Sequence, residues 1–252
     1  MIKITDIHKQ TNGYRITLSN RIAFDVSEQT LSQYHLYVQK ELEPNEIKEI
    51  RQGANFDLAY QQALSYVTRQ MRTVGETKAH LRKKDYSRIV IEQVIDRLQE
   101  NNYLNDQRYA SLYVEDKKMY SHDGPKKIGQ YLHKKKIDKP IIDQALLSYD
   151  IPEQKETIRK QLIKLSQRPV KKPYYKAIKS LKQKFYRYGF QSYIIDEVFQ
   201  AHMDIIDQMI DESSSFEKDV SKLHNKGVSR YAMKQTLRQK GYSSAQIATL
   251  EE

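Results

Sequence analysis

The chain has 252 residues, no cysteine and a net charge of +11, with 38% apolar and 30% charged residues and a mean hydropathy of −0.80. Lack of Cys excludes disulfides and thiolate metal sites, and no stretch approaches the roughly 20 apolar residues of a membrane span. The apolar share is also low for one large spherical core, so a chain of small, shared cores is expected.

The start, Met1-Ile2-Lys3-Ile4-Thr5-Asp6, has no apolar run behind it and does not read as a signal peptide. A soluble, cytoplasmic protein without membrane contact is the expectation. Residues 1–30 alternate in the manner of strands: Ile2, Ile4 and Ile7, then Tyr14, Ile16 and Leu18 after an Asn12-Gly13 turn, then Ile22, Phe24 and Val26 after Ser19-Asn20. Period-two apolar runs divided by Asn/Gly turns predict short antiparallel strands. Ser27 is placed to cap a helix, with Thr30 three residues on. Pro44-Asn45-Glu46 opens another.

From about residue 58 the pattern is helical and repeats. Leu81-Arg82-Lys83-Lys84-Asp85-Tyr86-Ser87 has counterparts beginning at Leu132, Phe185 and Leu237, which lie 51, 53 and 52 residues apart. A near-constant period with one internal grammar marks a structural repeat. Basic residues close the middle helix of each unit, where they complement the helix dipole. A left-handed position follows, supplied by Gly189 and Gly241. Asp85 and Lys136 stand there instead, so those two turns are expected to be strained or differently shaped. An apolar plug (Tyr86, Ile137, Phe190, Tyr242) comes next, then Ser87, Asp138, Gln191 or Ser243 at the following cap. The third helix shows paired apolar positions such as Val90-Ile91 and Val94-Ile95, one buried stripe.

First helices are expected at Ala63–Arg69, Asp106–Met119, Glu153–Gln167 and Phe216–Asn225, with breakers at Gly75, 121–125, 168–169 and 226–227. The reading is mainly α: an elongated, curved array of tandem three-helix repeats behind a small strand-containing module. The module occupies residues 1–57, and the units 58–104, 105–150, 151–204 and 205–252. An extended or crescent-shaped monomer of twelve repeat helices is expected.

No catalytic constellation emerges. Gly124-Pro125-Lys126-Lys127-Ile128-Gly129 has phosphate-loop glycine spacing but continues Gln130-Tyr131 in place of Lys-Ser/Thr. The seven His form no His-x-x-x-His pair with an acid, so neither metal nor cofactor is expected.

The charge is uneven. Residues 155–187 hold twelve Lys/Arg and one acid, Glu156, the footprint of a polyanionic partner. The binding candidates are Lys126, Lys127, Lys134 and Lys135 in unit two, Lys171, Lys172, Lys176, Lys179 and Arg187 in unit three, and Arg72 in unit one. Tyr174, Tyr175, Tyr186 and Tyr188 interleave with the third-unit cations, either to stack on bases or as edges of the core.

In these repeats the chain resembles the RecX family, the regulators of the RecA recombinase. The likeness rests on Ala63–Arg69, Leu81–Tyr86, Tyr103–Ala110, Gly124-Pro125 with Ile128 and Leu132, and Leu237–Tyr242, and covers about residues 58–252. The N-terminal module looks like the extension of long, Gram-positive-type members. Asp85 and Lys136 depart from the family's Gly. The resemblance implies a curved, all-helical repeat protein that is not an enzyme. It implies a protein that lies in the groove of the RecA filament on DNA and modulates strand exchange, ATP hydrolysis and co-protease activity. A plain nucleic-acid-binding repeat, a protein–protein adaptor and an unrecognised enzyme are the competing readings.

Overall fold

The structure, a computed structural model, describes residues 1–11 and 13–250. The Asn12 half of the expected turn lies outside the described residues. Strands β1 (Ile2–Gln10), β2 (Gly13–Leu18), β3 (Ala23–Val26) and β4 (Glu41–Leu42) form an antiparallel sheet in the order β3-β2-β1-β4. The spacing from Ile4 to Ile7 is odd, yet both belong to the same core. A register shift between Ile4 and Asp6 accounts for this: Ile4 pairs Leu18 and Ile7 pairs Ile16, so one extra residue restores the inward face. β4 has only two residues and no alternation to announce it.

Helix α1 (Glu28–Gln33) starts at Ser27, whose hydroxyl accepts from Thr30 N as expected. Both side chains are buried and reach Asp57, at 3.2 and 2.6 Å. Asp57 lies on α2 (Pro44–Arg69), a single 26-residue helix. The expected cut at 57/58 thus falls inside a continuous helix. The cores nevertheless divide there: Ile47, Ile50 and Ala54 pack under the sheet, while Ala59, Ala63 and Val67 join the first helical core.

The repeat helices follow. Unit one adds α3 (Val74–Arg82) and α4 (Arg88–Glu100), and unit two is α5 (Asp106–Tyr120), α6 (Pro125–Lys134) and α7 (Lys139–Leu146). Unit three is α8 (Ile151–Ser166), α9 (Tyr174–Tyr188) and α10 (Ser192–Ala201). Unit four is α12 (Ser213–Asn225), α13 (Arg230–Lys240) and α14 (Ser244–Ala248). One helix has no counterpart in the sequence reading: α11 (Met203–Met209) packs on α8 and contains the expected 204/205 cut. The chain forms two compact bodies, Met1–Ala110 with Leu132–Ile142, and Ser111–Tyr131 with Asp143–Glu252.

The repeat register holds at its anchors. Leu81, Leu132, Phe185 and Leu237 are all fully buried. In each unit the plug residue's N–H donates five residues back to the anchor carbonyl: Tyr86 to Leu81, Ile137 to Leu132, Phe190 to Phe185 and Tyr242 to Leu237, at 3.2–3.4 Å. Of the two outcomes expected for the turns at Asp85 and Lys136, strained or differently shaped, the structure shows the first. The two residues have φ values of +61° and +64°, against +96° and +90° at Gly189 and Gly241. The turn geometry is retained, and the non-glycine residues carry a steric cost.

Gly75 does not break a helix. It lies in the first turn of α3, because a Cβ there would come within 2.3 Å of Lys136 Cβ. This close approach is one of three similar junctions, in which the start of one middle helix meets the end of the next. In the first body, Thr73 Oγ1 donates to Lys135 O at 2.8 Å. In the second, Gly124 N donates to Tyr188 O and Lys126 N to Gly189 O, at 2.6 and 3.1 Å, and Tyr175 N donates to Gly241 O at 2.9 Å. The second-body contacts join unsatisfied N–H groups of one helix to unsatisfied carbonyls of another, the Thr73 hydroxyl takes the donor's place in the first body, and in each the dipole ends are aligned.

The first residue of each of these helices has its own solution. Val74 N donates to Asp106 Oδ1 at 2.9 Å, and Tyr174 N to Glu212 Oε2 at 2.9 Å. Glu212 is buried and also accepts from the backbone and hydroxyl of Ser243. The equivalent residue of α6 is Pro125, which has no N–H to satisfy. Burial, opposed by the Val74 hydrogen bond and reinforced by Asp138 and Glu76, raises the Asp106 pKa.

The junctions can be tested by substitution. Gly124→Ala places a Cβ 2.7 Å from backbone atoms of Gly189 and is expected to cost roughly 1–3 kcal/mol. Asp85→Gly is expected to be neutral or to gain up to about 1 kcal/mol, and denaturant unfolding of the two variants measures both. Asp106→Asn keeps an acceptor for Val74 N and removes a desolvated charge, so its melting temperature at pH 7 should exceed that of the parent. A carboxylate with a raised folded pKa loses its penalty as pH falls through that pKa. The advantage of the variant should therefore shrink on acidification, and a pH series of thermal melts reads it.

Candidate nucleic-acid interface

Lysine and arginine side chains divide into those used inside the fold and those left over. In residues 155–187, Lys155 pairs with Glu197 at 2.5 Å, Arg159 and Lys160 with Glu156 at 2.7 and 3.8 Å, and Lys182 with Asp196 at 2.6 Å. Asp196 and Glu197 come from α10, outside the basic run. The remaining eight cations, Lys164, Arg168, Lys171, Lys172, Lys176, Lys179, Lys184 and Arg187, have no carboxylate partner among the described residues. The fold therefore absorbs part of the imbalance seen in the sequence and leaves the α9 cations other than Lys182 without internal counter-charge.

Helix α9 presents them because of its periodicity. Ala177, Leu181 and Phe185 face inward, so Lys176, Lys179 and Arg187 are exposed, as are Lys171 and Lys172 just before the helix. Lys172 Nζ lies 3.5 Å from Ser180 Oγ. The α6–α9 junction brings Lys126 and Lys127 to the C-terminal end of the same helix: Lys126 Nζ sits 5.2 Å from the centre of the Tyr186 ring, a cation–π contact. Lys127 is partly committed, 2.6 Å from Asp123.

The other three candidates belong to the first body. Lys134 is exposed at the end of α6. Lys135 is half-buried and bonded to Glu76 at 2.5 Å, within the α3–α6 junction, so its charge serves the fold. Arg72 lies over the Tyr66 ring, 4.5 Å from its centre.

The tyrosines split between the two readings. Tyr174 Oη donates to Asp207 at 2.6 Å, and burial, followed by that carboxylate, pushes its pKa up to about 12. Tyr188 is half-buried beside Phe185. These two are edges of the core. Tyr175 and Tyr186 are 59% and 54% exposed, free to present a ring face to a base or sugar.

The sequence reading overlooked cations at the end of α3. Arg82, Lys83 and Lys84 are exposed, and no carboxylate pairs with them among the described residues. The signal was available in the Leu81-Arg82-Lys83-Lys84 run, which served there only as a repeat marker. Among the described residues, no group of His, Cys, Asp and Glu could hold a metal ion, and no helix is long and apolar enough to cross a membrane.

Comparison with known proteins agrees with this architecture. Residues 59–98 match the pattern described as RecX, first three-helix domain, and residues 105–146 that described as RecX, second three-helix domain. The chain is 34% identical over 226 residues to the regulatory protein RecX of Bacillus subtilis strain 168, covering 88% of this chain and 82% of that protein. It is 31% identical to the regulatory protein RecX of Oceanobacillus iheyensis, over 96% and 93% of the two chains. A crystal structure of regulatory protein RecX superposes with a TM-score of 0.62 at 27% identity, covering 79% of this chain and all of that one. RecX from Lactobacillus salivarius superposes with a TM-score of 0.56 at 33% identity, over 58% of this chain and 96% of that one. With its repeat register, its tandem three-helix units and a similarity that runs through most of its length, the chain belongs to the RecX family of regulatory proteins.

Proposed function

We propose that this chain binds the RecA nucleoprotein filament on DNA, in its groove, and modulates recombinase, ATPase and co-protease activity by binding, without catalysis of its own. It acts in this reading as a cytoplasmic monomer of an N-terminal module and four three-helix units. Its contacts run through Lys126, Lys127, Lys134, Lys135, Lys171, Lys172, Lys176, Lys179, Arg187 and Arg72. The observation that carries the reading is the set of α9 cations left without carboxylates in a fold that pairs others beside them. Membership of a family of regulators supports this reading of the surface.

Unpaired lysines on a helix face suit phosphates, whose neutralisation releases condensed counterions and makes affinity steeply salt-dependent. The second reading is a sequence-independent nucleic-acid-binding repeat, favoured by the exposed Tyr175 and Tyr186 rings beside the same cations. Lys135 and Lys127, already paired, contribute less than Lys172 and Lys176 in either reading.

The test measures affinity against salt for the chain with naked DNA and with RecA-coated DNA. Lys172→Glu with Lys176→Glu should weaken filament binding and reduce the log–log salt slope by about 2, at roughly 0.9 for each phosphate no longer neutralised. Helical content should be unchanged, since both side chains are exposed. Equal affinity for naked DNA and filament would favour the second reading. A parental salt slope near zero would contradict both.

A further inference from the structure

A second concentration of unpaired charge lies in the first body. A cleft of about 590 Å³ opens between the β1–β2 end of the sheet, α2 and α3, lined by Lys9, Tyr14, Arg69, His80 and Lys84 among others. The His80 ring stacks on Tyr66, with centres 4.1 Å apart and planes within 2°. The Arg72 guanidinium lies over that same Tyr66 ring, and its buried Nε has no hydrogen-bond partner in the structure. Lys83 is close enough to act on His80.

Cations thus line this cleft from β1 (Lys9), from the end of α2 (Arg69) and from just past α3 (Lys84), while Arg72, in the α2–α3 connection, lies over Tyr66. None pairs with a carboxylate among the described residues, and Glu28 is the one acid among the described residues that line it. Burial, then Lys84, Arg72 and Lys83 in that order, lowers the His80 pKa. With the His80 pKa held down, Lys9, Arg69 and Lys84 against the single carboxylate of Glu28 leave a local excess of positive charge in the cleft that an external anion balances. Gathered in a concavity, these cations focus their field on one spot instead of spreading it over a surface.

We propose that this cleft binds a phosphate group, through Arg69, Lys9 and Lys84, with His80 as an additional donor once protonated. Lys and Arg donors from separate elements suit the several oxygens of one phosphate. The ligand is either a phosphodiester of a nucleic-acid strand or a free phosphate. The site lies wholly within the first body and does not require that the chain bind a filament.

Binding and protonation are linked, so an anion that binds better to the imidazolium raises the His80 pKa by the same coupling. The experiment follows the His80 imidazole by NMR across a pH titration of the full chain at constant ionic strength. One arm adds inorganic phosphate, the other a short single-stranded oligonucleotide. The expected result is an upward shift of the His80 midpoint by half a unit or more in at least one arm, lost in Arg69→Glu with Lys84→Glu. Both are exposed positions, and Lys9→Glu serves as a second variant should that pair fail to fold. A shift with phosphate alone identifies free phosphate, and a shift with the oligonucleotide at far lower concentration identifies the phosphodiester. Lys172→Glu with Lys176→Glu should leave the phosphate-induced shift intact, which separates this site from the filament surface. No shift in either arm, or a shift that survives charge reversal in the cleft, overturns the proposal.

Discussion

A short helix has more unsatisfied backbone than it has length to hide. Each end leaves several N–H or C=O groups without intrahelical partners, and fourteen helices among the described residues multiply that problem. Here the ends of the middle helices satisfy one another. Thr73 reaches Lys135 O, Gly124 and Lys126 reach Tyr188 O and Gly189 O, and Tyr175 reaches Gly241 O. Gly75, Gly124 and Gly189 fall where the helices approach so closely that a Cβ would collide, and the left-handed turn that ends each middle helix exposes the carbonyls its partner needs. Asp85 and Lys136 adopt that turn without being glycine, a measure of how strongly the surrounding packing dictates it.

Side chains are divided in the same way. Carboxylates are committed to the junctions and to the nearest cations: Asp106 and Glu212 cap helix starts, Glu76 holds Lys135, and Asp196 and Glu197 hold Lys182 and Lys155. With 32 acids against 43 lysines and arginines, cations remain, and they are not scattered evenly. They collect along α9 and around the cleft beside His80. Exposed pairs add little to stability, so the distribution matters more for what the surface attracts than for what holds the fold.

Much of this was legible in the sequence. The recurring anchor, turn residue, plug and cap set the register of the repeats because all four have local physical causes. Pro125 and the Ser27, Ser87 and Ser243 caps were readable for the same reason. What escaped depends on partners distant in sequence. β4 exists only as an edge partner to β1, and α11 packs on α8 without a period of its own. The bulge between Ile4 and Asp6 is visible only once both strands are paired. Gly75 read as a breaker because its reason, Lys136, lies some sixty residues away. In the candidate interface the cations were readable by count, but their pairing was not. Lys135 looked equivalent to Lys134 until Glu76 appeared beside it, and the cleft around His80 draws on three elements that no window of sequence brings together.

The fold sorts its cations into a paired set that builds the molecule and an unpaired set that, in the proposed function, meets phosphate and filament. Lysine-reactive footprinting of the chain, free and bound to RecA-coated DNA, tests this residue by residue. Lys172, Lys176 and Lys179 should be reactive in the free chain and protected on binding, while Lys135 and Lys182 should react slowly and alike in both states. Uniform reactivity across the two sets, or protection that spares α9, would contradict the account.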